Sequence, residues 1–204
     1  MSSKLEQRTA DHSRLDGVAA NSGTQICYHD RNWKQGSIGV IRAYLRQLDP
    51  IPRFLNADEL ARGLSPFNVQ AVAVKAGKLL LHEIDGCLKT GNSFGLESTL
   101  SGTTYTRTLQ RAKALGYTIE IHYLWLPSPE LTIRRIAQRV KMGGHFIPAA
   151  DVRRRYKRSI SNFINLYAPL ANAWTFRKNS TQPPSLLFDS ANSSILSVES
   201  FLRP

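Results

Sequence analysis

Two carboxylates in this chain stand where side chains can do chemistry. Asp58 lies just past the short apolar run Phe54-Leu55, in the stretch Phe-Leu-Asn-Ala-Asp-Glu-Leu-Ala-Arg-Gly-Leu-Ser-Pro-Phe-Asn over 54–68. An alcohol is a poor nucleophile at neutral pH, and a carboxylate within hydrogen-bond reach can take its proton as a phosphoryl group moves. The plainer reading is a helix cap: Asp58 precedes Glu59-Leu60-Ala61-Arg62 and could satisfy backbone amides, and spacing alone favours it. Glu97 closes an apolar run in Gly-Leu-Glu-Ser-Thr-Leu-Ser-Gly over 95–102. An acid followed by hydroxyls and a glycine could orient a sugar hydroxyl through Glu97 and bind a phosphate or sugar through Ser98 or Thr99. The competing reading is a strand-to-helix connection with a capping hydroxyl.

A third feature is basic. From Arg134 to Arg158 there are nine Lys or Arg against one acid, Asp151. Arg135 and Arg139 are four apart and share a helix face that Arg134 does not, and Arg154 and Arg158 repeat the spacing. Gly143-Gly144 and His145 lie between the two helices. Two basic helices joined by such a loop suit a lid that closes on phosphates. A solvated basic face and a nucleic-acid patch are the other readings of the block. Only Phe146 and Tyr156 interleave it with aromatics, which argues for backbone contact rather than base reading. A His after Gly-Gly is more often a loop residue than a catalyst.

The rest of the chain must position these groups. The 204 residues are 42% hydrophobic, enough for one folded domain. The net charge of +12 favours anionic partners. No apolar run reaches bilayer length and Met1–Ala10 has no apolar signal region, so a cytoplasmic protein without membrane contact is expected. Cys27 and Cys87 read as buried reduced thiols, and the histidines show no metal-ligand spacing.

Residues 1–23 read as a loose segment, followed by one domain over 24–204. Strands are expected over 24–29, 53–56, 93–97, 117–126, 174–178 and 185–188. Helices are expected over 37–48, from Pro66-Asn68 to Gly91, over 104–115, from Ser128-Pro129-Glu130 to Met142, and over 149–167, with a short one at the end. Trp125 and Trp174 read as core. Strands alternating with helices give an α/β architecture with a mostly parallel sheet. Ligands then bind outside the carboxyl ends of the strands, where Asp58 and Glu97 would line one crevice.

Taken in order, the segments 54–68, Leu96–Gly102, the run from Ala112 through Val140, Gly143–Pro148 and Arg153–Leu170 closely resemble the zeta-toxin-like small P-loop kinases. The resemblance is strongest over 54–170. It implies a P-loop NTPase-like sheet flanked by helices, a helical lid, and Mg²⁺-dependent transfer of the ATP γ-phosphate. In that family the acceptor is a hydroxyl of a UDP-activated amino sugar, and an antitoxin is an implied protein partner. By motif position, Asp58 is the base, Glu97 and Thr99 contact the sugar, and Arg139 is a lid arginine. His145, Arg154 and Arg155 are candidates for a second lid cation.

One segment departs from the pattern. The family carries a glycine-rich loop ending in Lys-[Ser/Thr] after its first strand. Here the corresponding residues are Asp-Arg-Asn-Trp-Lys-Gln-Gly-Ser over 30–37. Asn32 and Ser37 keep the family's Asn and Mg²⁺-binding hydroxyl, but Trp33 and Gln35 replace glycines and Gly36 replaces the lysine. Glycines let backbone amides wrap phosphate, which Trp33 sterically prevents. Loss of one preorganised donor costs about 3 kcal/mol, or on the order of 10²-fold in rate. Three readings fit: a diverged kinase with a disabled nucleotide site, a binding protein for anions or nucleic acid on the kinase fold, or a shifted reading frame across residues 1–40.

Overall fold

The computed structural model describes residues 25–30, 53–141, 146–180 and 184–203, the first of these as backbone. The expected helix at 37–48, the loose segment 1–23, the positions Asn32, Gly36 and Ser37, and His145 lie outside the described residues.

Six strands form one sheet: β1 Gln25–Asp30, β2 Arg53–Leu55, β3 Phe94–Ser98, β4 Thr118–Trp125, β5 Ala173–Lys178 and β6 Ser185–Asp189. Their order is β2-β3-β1-β4-β5-β6. Neighbours from β2 through β5 are parallel, and β6 runs antiparallel on the edge. Strands β3 and β4 are buried on both faces, as parallel strands covered by helices must be. In β4 the β-branched and aromatic run places Ile119, Ile121 and Tyr123 in the core, with Leu124 buried on the opposite face.

The helices are α1 Ala57–Leu64, α2 Ala73–Thr90, α3 Thr104–Ala114, α4 Pro129–Lys141, α5 Ala149–Asn162 and α6 Ile195–Leu202. In α2, Ala76, Leu80, Ile84, Cys87 and Leu88 are buried at helical spacing. Gly91 ends α2 at φ 70°, a left-handed residue, as expected, and its N–H donates to Cys87.

Two boundaries differ from the sequence reading. The helix expected from Pro66 begins only at Ala73, because Asn68 Oδ1 accepts the Ala71 amide at 3.2 Å and holds a turn over 69–72. A separate helix, α1, covers Ala57–Leu64, which the capping reading of Asp58 implied but for which no bounds were expected. The helix expected to reach Tyr167 is α-helical only to Asn162. It widens into a π turn over Phe163–Tyr167 and tightens into a 3-10 turn over Ala168–Leu170. Pro169 has no N–H and its ring crowds the carbonyl four residues back, so the α ladder cannot continue. Phe163 and Tyr167 are nonetheless fully buried. Phe163 stacks on Tyr123 at 4.6 Å and meets Trp174 edge-on at 6.0 Å. Trp174 is core, as expected.

Candidate active site at the carboxyl edge of the sheet

The chain places β2 and β3 on one side of β1 and β4 onward on the other. The carboxyl end of β1 is therefore a switch point, where open α/β sheets bind ligands. The register sets Asp30 of β1 opposite Ser98 of β3, and Leu96 of β3 opposite Leu55 of β2. The ends of β1, β2 and β3 thus meet at one edge.

Asn56, 3% exposed, follows β2 and caps α1. Its Oδ1 accepts the backbone amides of Asp58 at 2.8 Å and Glu59 at 3.3 Å. That fixes the amide orientation and turns Nδ2 to Oε2 of Glu97, to which it donates. Glu97 is fully buried. The cap assigned to Asp58 by spacing therefore belongs to Asn56. Asp58 sits half-buried in the first turn of α1, beside Glu59, where the helix dipole favours a carboxylate. The structure brings Asp58 and Glu97 to the same edge through this one asparagine. Asn56 followed three residues later by Glu59 is a capping-box spacing, the signal that could have identified the cap.

Past Glu97 the chain turns sharply. Ser98 Oγ accepts the Leu100 amide at 3.3 Å, and the hydroxyls of Thr99 and Ser101 share a 2.8 Å hydrogen bond. Leu100 has φ 53° although its side chain is buried, a left-handed backbone that a leucine does not favour. The end of α5 and the π turn hold this loop. Ser159 donates to the Thr99 carbonyl at 2.6 Å, Asn162 to the Leu100 carbonyl at 2.8 Å, and Tyr167 to the Gly102 carbonyl at 2.6 Å. Nothing in the sequence pattern marked these three as supports for the 98–102 loop.

The basic helices flank the edge. Ser128 Oγ accepts the Leu131 amide at 3.3 Å and caps α4 as expected. Arg134 is exposed, whereas Arg135 and Arg139 are half-buried on the opposite face. Burial lowers the Arg135 pKa from the ordinary guanidinium value. Arg153 Nε meets Glu130 at 3.2 Å and links α5 to α4. Tyr156 accepts from Trp125 Nε1 at 3.1 Å and donates to the Leu126 carbonyl at 2.7 Å, fixing α5 to the end of β4. Arg154 and Arg155 are exposed on α5, and Arg154 pairs with Asp151 at 2.8 Å. Two further polar groups are buried: Thr132 in α4, and Asn179 just past β5. The Thr132 hydroxyl and the Asn179 carboxamide have no hydrogen-bond partner among the described residues. Among those residues, no cluster of His, Cys, Asp or Glu is arranged to hold a metal ion, and no helix is long and apolar enough to cross a membrane.

No protein-family model matches the chain. An uncharacterized protein of Haemophilus influenzae is 30% identical over 123 residues, which are 59% of this chain and 88% of that one. A solved structure from the PezAT chromosomal toxin-antitoxin system of Streptococcus pneumoniae superposes with a TM-score of 0.67 at 14% identity, covering 99% of this chain and 88% of its own. The AvrRxo1-ORF1:-ORF2 structure with ATP follows at TM-score 0.61 and 15% identity, covering 97% of this chain and 71% of its own. These two likenesses concern the fold. The chain belongs to one family with the Haemophilus influenzae protein and has the fold of the zeta-toxin-like small P-loop kinases.

Proposed function

We propose that the site is that of an ATP-dependent phosphotransferase acting on a hydroxyl of a small molecule, with a UDP-activated amino sugar as the acceptor class. The observation that carries this reading is the Asn56–Glu97 hydrogen bond at the joined ends of β2 and β3, with Asp58 in the adjoining first turn of α1. A buried carboxylate held on one oxygen by an amide can orient an acceptor hydroxyl. Asp58 takes the proton of that hydroxyl as its oxygen bonds to the γ-phosphorus and the bond to ADP breaks. Thr99 and Ser98 offer hydroxyls to the acceptor. Arg139, with Arg135 on the same half-buried face, offsets charge on the transferred group. His145, Arg154 and Arg155 are the remaining candidates for contact with donor or acceptor phosphates.

The α4 face fits an anionic donor, while the segment 30–37 does not supply the glycine cradle. Asn32, Gly36 and Ser37 would be its nucleotide contacts. Ser37 would hold the Mg²⁺, which would offset negative charge on the donor phosphates. The loss of glycines at Trp33 and Gln35 favours a second reading, a non-catalytic anion-binding protein on the same fold. A cytoplasmic location and an antitoxin-like protein partner belong to the first reading.

Calorimetric titration with Mg-ATP separates the two. Heat of binding at millimolar ligand, with phosphate transfer lost in Asp58→Asn at unchanged ATP affinity, supports the kinase. Absence of ATP binding leaves the anion-binding reading. Transfer undiminished in Asp58→Asn removes that residue from the role of base.

A further inference from the structure

A groove of about 500 Å³ opens between α5, α6 and the end of β4, in the size range of ligand sites. Its lining is aromatic and aliphatic, with Trp125, Ile160, Ile164 and Phe201, and it carries Lys157 and Arg203. Phe201 is 47% exposed, and its ring meets Trp125 edge-on at 5.4 Å. Arg203 is paired with Glu199 at 3.0 Å, which leaves Lys157 as the groove's cation without an acidic partner among the described residues.

Beside the groove, α5 carries a run of basic residues. Positions 153, 157, 160 and 164 form one helical stripe, and 154, 158, 161 and 165 form the next. The lower half of each stripe lines the groove, while the upper half carries Arg153, Lys157, Arg154 and Arg158. Arg153 and Arg154 are each paired with an acid. Lys157 and Arg158 are exposed, with no acidic partner among the described residues. A rigid cationic track that runs into an aromatic floor matches the chemistry of single strands, whose phosphates are anionic and whose unpaired bases stack. A duplex presents its phosphates but not its base faces.

We propose that the groove and the cationic turns of α5 beside it bind single-stranded nucleic acid, with one base against Phe201 and Trp125 and the adjoining phosphates on Lys157 and Arg158. This site uses none of Asp58, Glu97 or Arg139, so it stands whether or not the chain transfers phosphate.

The test is fluorescence anisotropy of the full chain with labelled oligo-dT and oligo-U of about 12 nucleotides, at about 50 and 200 mM salt, against a duplex of equal length. Single strands are expected to bind more tightly than the duplex. Lys157→Ala with Arg158→Ala should weaken binding about tenfold or more and flatten the salt dependence. Phe201→Ala should weaken it about fivefold or more with an unchanged salt slope, while Phe201→Tyr, which keeps a stacking ring, should bind as wild type. Equal affinity for the duplex overturns the proposal. So does Phe201→Ala binding undiminished, the double variant binding undiminished, or a lack of binding to either oligonucleotide.

Discussion

Asn56 connects a helix cap to a buried acid: its Oδ1 holds the first amides of α1 while its Nδ2 donates to Glu97 on the neighbouring strand. That side chain adds a tie between the ends of β2 and β3 beyond their backbone pairing. Asn56→Asp keeps the capping oxygen and replaces the donor with a second carboxylate. At pH 7 the variant should be less stable than wild type by about 1–3 kcal/mol in urea unfolding. Repulsion raises a carboxyl pKa in the folded pair, so protonation relieves the folded state first. The deficit should therefore shrink between pH 7 and pH 5. A deficit that does not change with pH would show that Glu97 does not sense the new charge.

Leu100 gives a second expectation. Its side chain is buried at 1% exposure while its backbone sits at φ 53°. Truncating a core leucine to alanine costs about 2–5 kcal/mol. Glycine removes one carbon more, yet alone relieves the left-handed backbone by about 1 kcal/mol. Leu100→Gly is expected to be no less stable than Leu100→Ala, the reverse of the usual order. Thermal unfolding of the two variants decides the point, and the usual order would mean that the loop relaxes out of the left-handed region.

The 98–102 loop is held from α5, and its geometry should fail when that hold is cut. Ser159 donates to the Thr99 carbonyl and shares a 2.9 Å hydrogen bond with the Tyr123 hydroxyl. Ser159→Ala leaves both groups buried with a bond removed, an expected loss of about 1–3 kcal/mol. Tyr167→Phe removes the bond to the Gly102 carbonyl, for about 1 kcal/mol. Both act on one short loop, so the double variant should depart from additivity by about 0.5 kcal/mol or more in a double-mutant cycle. Strict additivity would separate the two supports.

The sequence made the sheet legible because its strands are short, apolar and punctuated. The stretch around Ile119–Leu126 needed only β propensity, and Gly91 and Gly116 marked helix ends that the structure places at positive φ. The α4 boundary followed from Ser128, Pro129 and Glu130, each suited to its position. What stayed hidden was long-range. The Asn56–Glu97 bond spans 41 positions, and the supports of the 98–102 loop span 60 or more. No local period encodes such pairs. The end of α5 was misread for another reason: its apolar spacing continues past Asn162, while the backbone must change before Pro169.

His122 supplies a pH-dependent expectation. It lies in β4, with Nδ1 3.0 Å from the Thr175 hydroxyl on β5. Burial, and then the nearby Arg177 guanidinium, lower its pKa from 6.5 to about 4. The imidazole is therefore neutral in the folded chain at pH 5–6, where the unfolded chain already binds a proton. A base with a depressed folded pKa makes stability fall as pH drops through the unfolded value, and the loss levels off below the folded one. Between pH 7 and pH 4.5 this group alone should cost about 2–3 kcal/mol. Urea unfolding of wild type and His122→Gln across that range isolates the effect, because the carboxylates titrate alike in both. The wild type should lose more stability than the variant on acidification. Equal losses would mean that the folded chain protonates His122 as readily as the unfolded one.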